Sequence, residues 1–553
     1  MVFIIPVTCN CFIVNRYKVI ILVMLFQSVN YLVGQNWPKV YITNDGNYPF
    51  SVIEHYDKGY LVGGWFVSSD GFPINGLLMK TTINGDLLWK KRIGIFNDGT
   101  GIFDINQTND NGIIISGATK QTDSCGDPLI MKLNTCLENE WCRIYTVGQN
   151  RFDVTVSVEQ IPGGYIAYVF YGYDLWSNNK IHLYRLDSDG DLVWQQLYGQ
   201  SDSLILGADG ADMMVTSDYH YLISGYCYYP DSGTTSPRYL RPLLIKVDST
   251  GNVDWELPWR YVSGEHFYGM SQRTIEDNQH TLYSCGRHIE DEATPPGDRP
   301  TMLKTDASGN EISYHDLVPD SRGGNFFNIN WFQDSTIEID GGWSMTSSFE
   351  GPIAVFKINR NGNILDSATI VQSIYGFEDA IVDHDNKVFL VKGEYIGNQF
   401  RTYAWKLNSD LEYDTLYTQP MVYDSLCPYP IASDTIPLDC EVVGLDEPFT
   451  NPETGRLKVY PNPATDILHI EIPEKLKTET TTPAFNITTV YHQWKSATVE
   501  VFDLFGRRVF SKEITQSDKE LSIDISGWHA GMYVVRLVYL NRTIGNTKAM
   551  IEH

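Results

Sequence analysis

One phrase recurs through residues 36–420 and limits the architecture more than any other feature of the chain. An apolar run carries a basic residue, turns at an Asp/Asn-x-x-Gly sequence, and resumes as a strand, in several copies opened by tryptophan. It reads LLMKTTINGDLLWKKRIG from Leu77, LIMKLNTCLENEWCRIYTVG from Leu129, IHLYRLDSDGDLVWQQLYG from Ile181 and LLIKVDSTGNVDWELPW from Leu243. MLKTDASGNEISYHDL from Met302, VFKINRNGNILDSATI from Val355 and AWKLNSDLEYDTLYT from Ala404 are more divergent copies. The basic anchor falls at Lys80, Lys132, Arg185, Lys246, Lys304, Lys357 and Lys406.

Each copy follows a second recurring strand, among them GYLVGGWF, GIIISGAT and KVFLVKGE, and upstream of that lies a short apolar patch such as SVIE at Ser51 or VSVEQI at Val156. Four short strands per period of roughly fifty residues are the mark of radial β-repeats. The expected fold is all-β, a seven-bladed β-propeller over residues 36–420. Gly85, Gly190, Gly251, Gly309 and Gly362 sit where a tight hairpin needs the left-handed conformation. Trp89, Trp141, Trp194 and Trp255 are expected where blades meet. Composition agrees, with 13% aromatic residues and 45 glycines, a balance that favours many short strands and turns.

The phrase resembles the strand-turn-strand of quinoprotein-type propeller repeats, whose tryptophans dock successive blades. That resemblance implies that the SVIE-like patch is innermost and the strand after the turn outermost. The N-terminal WPKVYI, Trp37 to Ile42, is then an extra outermost strand able to close the ring, with DTLYT near Thr415 competing for the same place. The quinoprotein resemblance stops at blade docking: no adjacent cysteine pair is present, and no cofactor is expected.

Several tempting sites reduce to structure. DSDGD, Asp187 to Asp191, resembles the start of a calcium loop, yet its sister copies TINGD, DSTGN, DASGN and NRNGN keep the turn and lose the charges, so a hairpin is expected and no metal site. The 12 histidines are scattered, without HExxH, GxSxG or a phosphate-cradling glycine loop. No catalytic constellation emerges, and the chain reads more as a binder than an enzyme. The binding candidates come from long connections after the second strand of blades three, four and five, GYDLWSNNK, YPDSGTTSPRYLR and HIEDEATPPGDRP, which emerge on one face. Trp176, Tyr229, Tyr239, Arg241, His288, Asp291 and Arg299 would line that patch, a mixture suited to glycan or peptide recognition.

The formal net charge is −27, and none of the acidic residues lies in the first 35 positions. Such a field opposes phosphate backbones and anionic lipid surfaces, so no nucleic-acid partner is expected. Residues 1–35 read as a signal peptide: Arg16 and Lys18 precede the apolar run Val19 to Phe26, which is too short to span a bilayer. No later segment has the apolar length of a transmembrane helix. Seven cysteines then remain, an odd number, and Cys427 with Cys440 is the expected disulfide, two neighbours in a proline-rich segment. Cys125, Cys136 and Cys142 offer one further pair.

Prolines at 428, 430, 437, 448 and 452 mark residues 421–456 as a semi-rigid linker. The chain restarts at Leu457 with LKVYPNPATDILHIEI, then VEVFDLFGRRVFSKEI, ELSIDISGWHAGMYVVRLVYL and NRTIGNTKAMIEH. Short alternating strands near Lys458, Ile467, Thr498, Arg508, Leu521, Met532 and Thr547 suit a small Ig-like β-sandwich. Residues 457–553 resemble the type A C-terminal sorting domain of proteins exported by the type IX secretion system of Bacteroidetes. The match is carried by Tyr460, Pro461, Asn462 and Pro463, by Gly506 in VEVFDLFGRRV, by Gly531 and Tyr533 in IDISGWHAGMYVVRL, and by Lys548. The segment Pro473 to Ser496 is longer than the hairpin usual at that place. The resemblance implies export through the periplasm, recognition by an outer-membrane translocon, and a passenger that is secreted or attached to the cell surface. Two readings of the propeller stay open: a binder of extracellular glycan or protein, or an exported polysaccharide hydrolase or lyase with its site on the propeller face.

Overall fold

The computed structural model describes residues 37–552 apart from 44, 68–72, 95–97, 121–125, 147–151, 173–179, 199–206, 231–236, 259–260, 263–264, 267, 291–296, 322, 345–350, 374–377, 445–456, 473–475, 482–486, 493–495, 504–506, 516 and 540–541. Residues 1–35, expected to be a signal peptide, lie outside the described residues. All regular elements among the described residues are strands, and no described helix is long and apolar enough to cross a membrane.

Seven antiparallel sheets follow one another along the chain. Blade one is typical, running from Asn47–Glu54 through Tyr60–Val67 and Pro73–Thr81 to Leu87–Ile93. The first strand of each blade contacts the first strand of the next, and Asn47–Glu54 also meets Asp379–Val382 of blade seven, which completes a ring. The SVIE-like patch is therefore innermost and the tryptophan-led strand outermost. Cores of apolar residues fill each blade interface, as radial packing requires.

The ring is closed by the N-terminal strand. Lys39–Tyr41 pairs antiparallel with Gln399–Leu407 as the fourth strand of blade seven. DTLYT does not compete: Tyr417 is bound instead to Asn84 of blade one, its amide donating to Oδ1 at 2.7 Å. Trp37 does in blade seven what Trp141 and Trp194 do in theirs. It lies under the next blade's turn at Gly85, where φ is 75° and a Cβ would stand 2.6 Å from the indole. Four residues on, Tyr41 donates its hydroxyl to the Gly85 carbonyl at 2.7 Å, as Tyr145 does to Gly190 and Tyr198 to Gly251.

The basic anchors lock hairpins in every blade but five, where Lys304 donates instead to the Arg360 carbonyl of blade six at 3.4 Å. Each sits at the end of a third strand, beside the turn joining the first two strands. Lys80 meets Asp57 at 2.8 Å, Lys132 meets Asp110 at 2.9 Å, Lys246 meets Asp218 at 2.9 Å, Lys357 meets Asp334 at 3.1 Å and Lys406 meets Asp383 at 3.2 Å. Blade three lacks a hairpin aspartate, and its Arg185 donates to backbone carbonyls, including Pro162 at 3.0 Å. The DSDGD stretch is a turn of the expected kind: Asp187 Oδ1 accepts from the amides of Asp189 and Asp191 at 3.0 and 2.9 Å.

The proline-rich stretch departs from expectation. Residues 421–444 do not hang free but form a strap on the propeller: Thr435–Ile436 adds a parallel fifth strand to blade one, and Glu441–Gly444 adds one to blade two. The disulfide expectation is corrected with it. Cys427 bonds Cys136 and Cys440 bonds Cys142, so both bridges staple the strap to blade two and none joins Cys427 to Cys440. Cys136 lies in the turn from Asn134 to Glu138 and Cys142 in the outer strand Asn139–Thr146, so the strap is tied at two successive points of blade two. Cys227 and Cys285 are free and buried, and Cys125 lies outside the described residues.

The C-terminal domain is a sandwich of a three-stranded and a four-stranded sheet around one apolar core. The long insertion adds a separate hairpin, Leu476–Thr481 with Ile487–His492. The domain rests on the propeller face that carries the tight hairpins. Phe502 is buried in the core between blades three and four, and Lys548 pairs with Asp248 of blade four.

Candidate functional site

Antiparallel alternation puts two kinds of connection on one propeller face: those from second to third strands, and those from each outer strand to the next inner one. The long connections of blades three to five emerge there, opposite the face occupied by the C-terminal domain. Of the patch expected on them, Trp176 and Asp291 lie outside the described residues. Tyr229 and Tyr239 are cross-strand partners in blade four, as are His288 and Arg299 in blade five. Arg241 is buried in blade four. His288 and Arg299 both approach Asp316, each at 3.6 Å, so these two side chains are joined through one carboxylate.

A second group, at the axis, was not anticipated. In six blades the innermost strand carries a β-bulge, and Ser51, Asp104, Ser157, Asp212, Thr274 and Asn328 are the residues that resume pairing after it. Asp379 holds the equivalent register in blade seven. These residues tie neighbouring blades. Asp379 accepts from the Val52 amide at 2.7 Å, Ser51 Oγ from the Ile105 amide at 3.3 Å, and Asp104 from the Val158 amide at 3.2 Å. Arg273, in the blade-five bulge, reaches across the axis to Asp212 at 3.1 Å and Asp379 at 2.7 Å.

These groups are enclosed by protein yet partly wet, Arg273 being 30% and Asp212 22% exposed, as expected for the wall of a narrow channel. Burial, with the charges of Asp212 and Asp379, pushes Asp104 up to about 6 despite the opposing hydrogen bonds. Burial and the charges of Asp104 and Asp212 push Glu159 up to about 8. Burial disfavours the charge on Arg273, but Asp379 and Asp212 outweigh it and hold the guanidinium charged.

Above the channel, on the face with the long connections, an aromatic cluster spans blades seven, one and two. Phe50 and Trp65 meet edge to face at 4.4 Å, Phe103 touches both rings at 5.2 and 5.4 Å, and Tyr48 joins Phe50 at 5.3 Å and Phe400 at 5.7 Å. All five rings are partly exposed. Tyr48 also donates to Glu378, whose carboxyl burial raises to about 7 against the pull of Lys392 and these hydrogen bonds. Phe50 and Phe103 are bulge residues, which is why they turn away from the blade interfaces and toward the mouth.

A metal reading is answered by the side chains present. His55, Asp57 and Asp424 converge closely enough to hold an ion. The Lys80 ammonium stands among them, 2.6 Å from His55 Nδ1, 2.8 Å from Asp57 and 3.4 Å from Asp424. That buried cation supplies the charge a metal would.

In the C-terminal domain the YPNP stretch zips onto the last strand. Asn462 donates its side-chain amide to the Lys548 carbonyl at 2.9 Å and accepts from the Met550 amide at 2.7 Å. The Ala464 amide donates to the Met550 carbonyl at 2.8 Å. Tyr460 lies stacked on His469 and donates to Glu520 at 2.5 Å. Tyr533 is buried and donates to the His529 carbonyl at 2.9 Å. Gly531 opens the strand Gly531–Tyr539, and Gly506 lies outside the described residues.

Residues 458–552 match the family described as Secretion system C-terminal sorting domain. The chain carries a type IX sorting tail, which marks it for export and for a secreted or surface location. No curated protein sequence matches the chain. Among solved structures, an ulvan lyase of polysaccharide lyase family PL25 is 9% identical over 67% of this chain and 96% of its own, with a TM-score of 0.43. The aldose sugar dehydrogenase of Streptomyces coelicolor in its PQQ-bound form is 12% identical over 66% and 97%, at 0.31. A protein of unknown function from Bacteroides caccae is 11% identical over 50% and 83%, at 0.31. At these values the architecture rests on the strand pairing described above.

Proposed function

We propose that this type IX-exported propeller binds a glycan or protein chain outside the cell at the channel mouth, with residues 1–35 supplying the first export step and the sorting tail the second. The observation that carries the reading is the partly exposed cluster of Tyr48, Phe50, Trp65 and Phe103. Apolar ring faces beside polar groups suit pyranose faces and extended peptides alike. The long connections of blades three to five, with Trp176, Tyr229, Tyr239, Arg241, His288, Asp291 and Arg299, are proposed as the other side of the same contact surface. Because the sorting domain rests on the opposite face, the mouth stays open before the tail is removed.

A second reading, hydrolysis of a polysaccharide, is favoured by Glu159. A carboxyl kept protonated near neutral pH is what a general acid needs, and Asp104 and Asp212 supply charges nearby. Against it, Asp104, Asp212 and Asp379 are engaged by backbone amides or by Arg273, which suits blade fastening better than catalysis. The lyase form is weaker still, because an acidic channel repels anionic sugars.

The test is a panel of neutral glycans and extracellular proteins offered to the secreted protein and to Trp65→Ala. Binding that weakens about tenfold or more in the variant, roughly the loss of one stacked ring, supports the reading. Release of reducing ends that Glu159→Gln abolishes while binding persists would replace it with hydrolysis.

A further inference from the structure

The repeat is broken at one buried place. On the second strand of every blade, the residue paired with the inner strand two places past the post-bulge position is Leu61, Ile114, Ile166, Leu222, Leu282, Glu338 or Phe389, in blade order. Six blades fill it with an apolar side chain, and blade six fills it with a glutamate that is 0% exposed. Asp340, two residues on and also 0% exposed, takes the place of Gly63, Ser116, Tyr168, Ser224, Ser284 and Val391. Two carboxyl groups thus occupy core positions at the blade six–seven interface, where Asn330 of the same sheet face donates to the Ala380 carbonyl at 3.0 Å.

The Arg273 charge acts on both acids, but neither forms an ion pair among the described residues. Arg273 is committed to Asp212 and Asp379, and Lys357 to Asp334. One oxygen of each acid accepts an amide: Glu338 Oε2 from Asn330 at 2.7 Å and Asp340 Oδ1 from Asn328 at 3.2 Å. Glu338 Oε1, Asp340 Oδ2 and the side-chain carbonyl of buried Asn325 have no hydrogen-bond partner among the described residues. Asn325 is in register with Gly342, so residues 338, 340 and 342 and their cross-strand partners place all three groups on one face. Buried carboxylates that lack an ion-pair partner are strongly unfavourable. Two that face each other can bond directly only if one is protonated.

We propose that Glu338 and Asp340, with the Asn325 carbonyl beside them, hold a hard cation of the calcium class between blades six and seven. Carboxylate and amide oxygens with no nitrogen or sulfur donor are the ligand set such an ion takes. The ion would supply positive charge beside two core carboxylates of blade six, where Arg273 is already paired with Asp212 and Asp379.

The experiment uses the intact secreted chain, purified without chelator. Elemental analysis should find one calcium per chain, and chelation should lower Tm. Added calcium should restore Tm and raise it further with the logarithm of its concentration. Glu338→Leu with Asp340→Ser, which installs the residue types of sister blades, should lose both the metal and the calcium response. Glu338→Gln keeps the shape and should lose the response as well, so a misfolded double variant does not rescue the proposal. Metal-free protein whose melting ignores calcium and chelator overturns it, and leaves a carboxyl pair sharing a proton.

Discussion

Tyr41 donates its hydroxyl to the Gly85 carbonyl at 2.7 Å, and through that bond the N-terminal strand of blade seven is fastened to the first turn of blade one. Forty-four residues of chain separate the two groups, yet the contact repeats what Tyr145 and Tyr198 make between blades never parted by the chain ends. Closure is thus assigned to a few residues at the start of the folded chain.

Trp37→Ala should weaken that closure more than any surface change in the same strand. The indole is 1% exposed and packs edge to face on Phe389 at 5.7 Å. A buried Trp→Ala change costs about 3–5 kcal/mol. Calorimetry should show a clear fall in Tm. A shift no greater than that of Lys39→Ala would mean that the seam is held elsewhere.

Cys136→Ser or Cys142→Ser should free part of the strap without dismantling the ring. Each bridge closes a long stretch of sequence, 291 and 298 residues, and such cross-links contribute about 2–4 kcal/mol. Hydrogen exchange should rise in residues 421–444 and remain slow in blades four to six. Uniform exchange in all blades would show that the strap is part of the ring's cooperative unit.

Stability should fall with rising pH because of Glu159. Its folded pKa of about 8 lies above its ordinary value of 4.5, so the folded state binds more protons between those two values. The contribution is fully present below the ordinary value and is lost as pH climbs toward 8. Glu159→Gln should therefore flatten the pH dependence and help most in alkaline buffer. Parallel melting curves for both proteins from pH 4.5 to 9 would contradict the assignment.

Asn462→Ala should loosen the sorting tail selectively. The change removes one bond to the Lys548 carbonyl and one from the Met550 amide, each worth about 1 kcal/mol. Less protein should reach the medium or cell surface, with a matching periplasmic accumulation in fractionated cells. Normal export of a propeller bearing the altered tail would show that the YPNP clasp is dispensable for recognition.

The blades were legible because the same local chemistry recurs: a basic anchor in all seven copies, and a turn glycine and a docking tryptophan in most. The closing strand was legible in part. Trp37-x-x-x-Tyr41 has the spacing of Trp141-x-x-x-Tyr145 and Trp194-x-x-x-Tyr198, a pattern that distinguishes it from DTLYT. The axial groups were hidden because a bulge shifts the facing of every residue after it, so Asp104 and Asp212 could not be assigned to the channel by alternation alone. Phe50 and Trp65 lie in stretches that read as strand core, and only the bulge and the strand end bring them to the mouth. The cysteine pairing was misread for another reason. Nearness along the chain favoured Cys427 with Cys440, whereas the strap follows the curve of the ring and meets cysteines nearly three hundred residues earlier.

The two staples also make the protein covalently circular over most of its length. From Cys142 to Cys427 the backbone lies within a loop shut by sulfur, and the connections after residues 172, 230 and 290 all fall inside it. A single protease cut in any of these connections leaves both fragments attached. For a chain marked for export, scission at any of these three places cannot shed a blade.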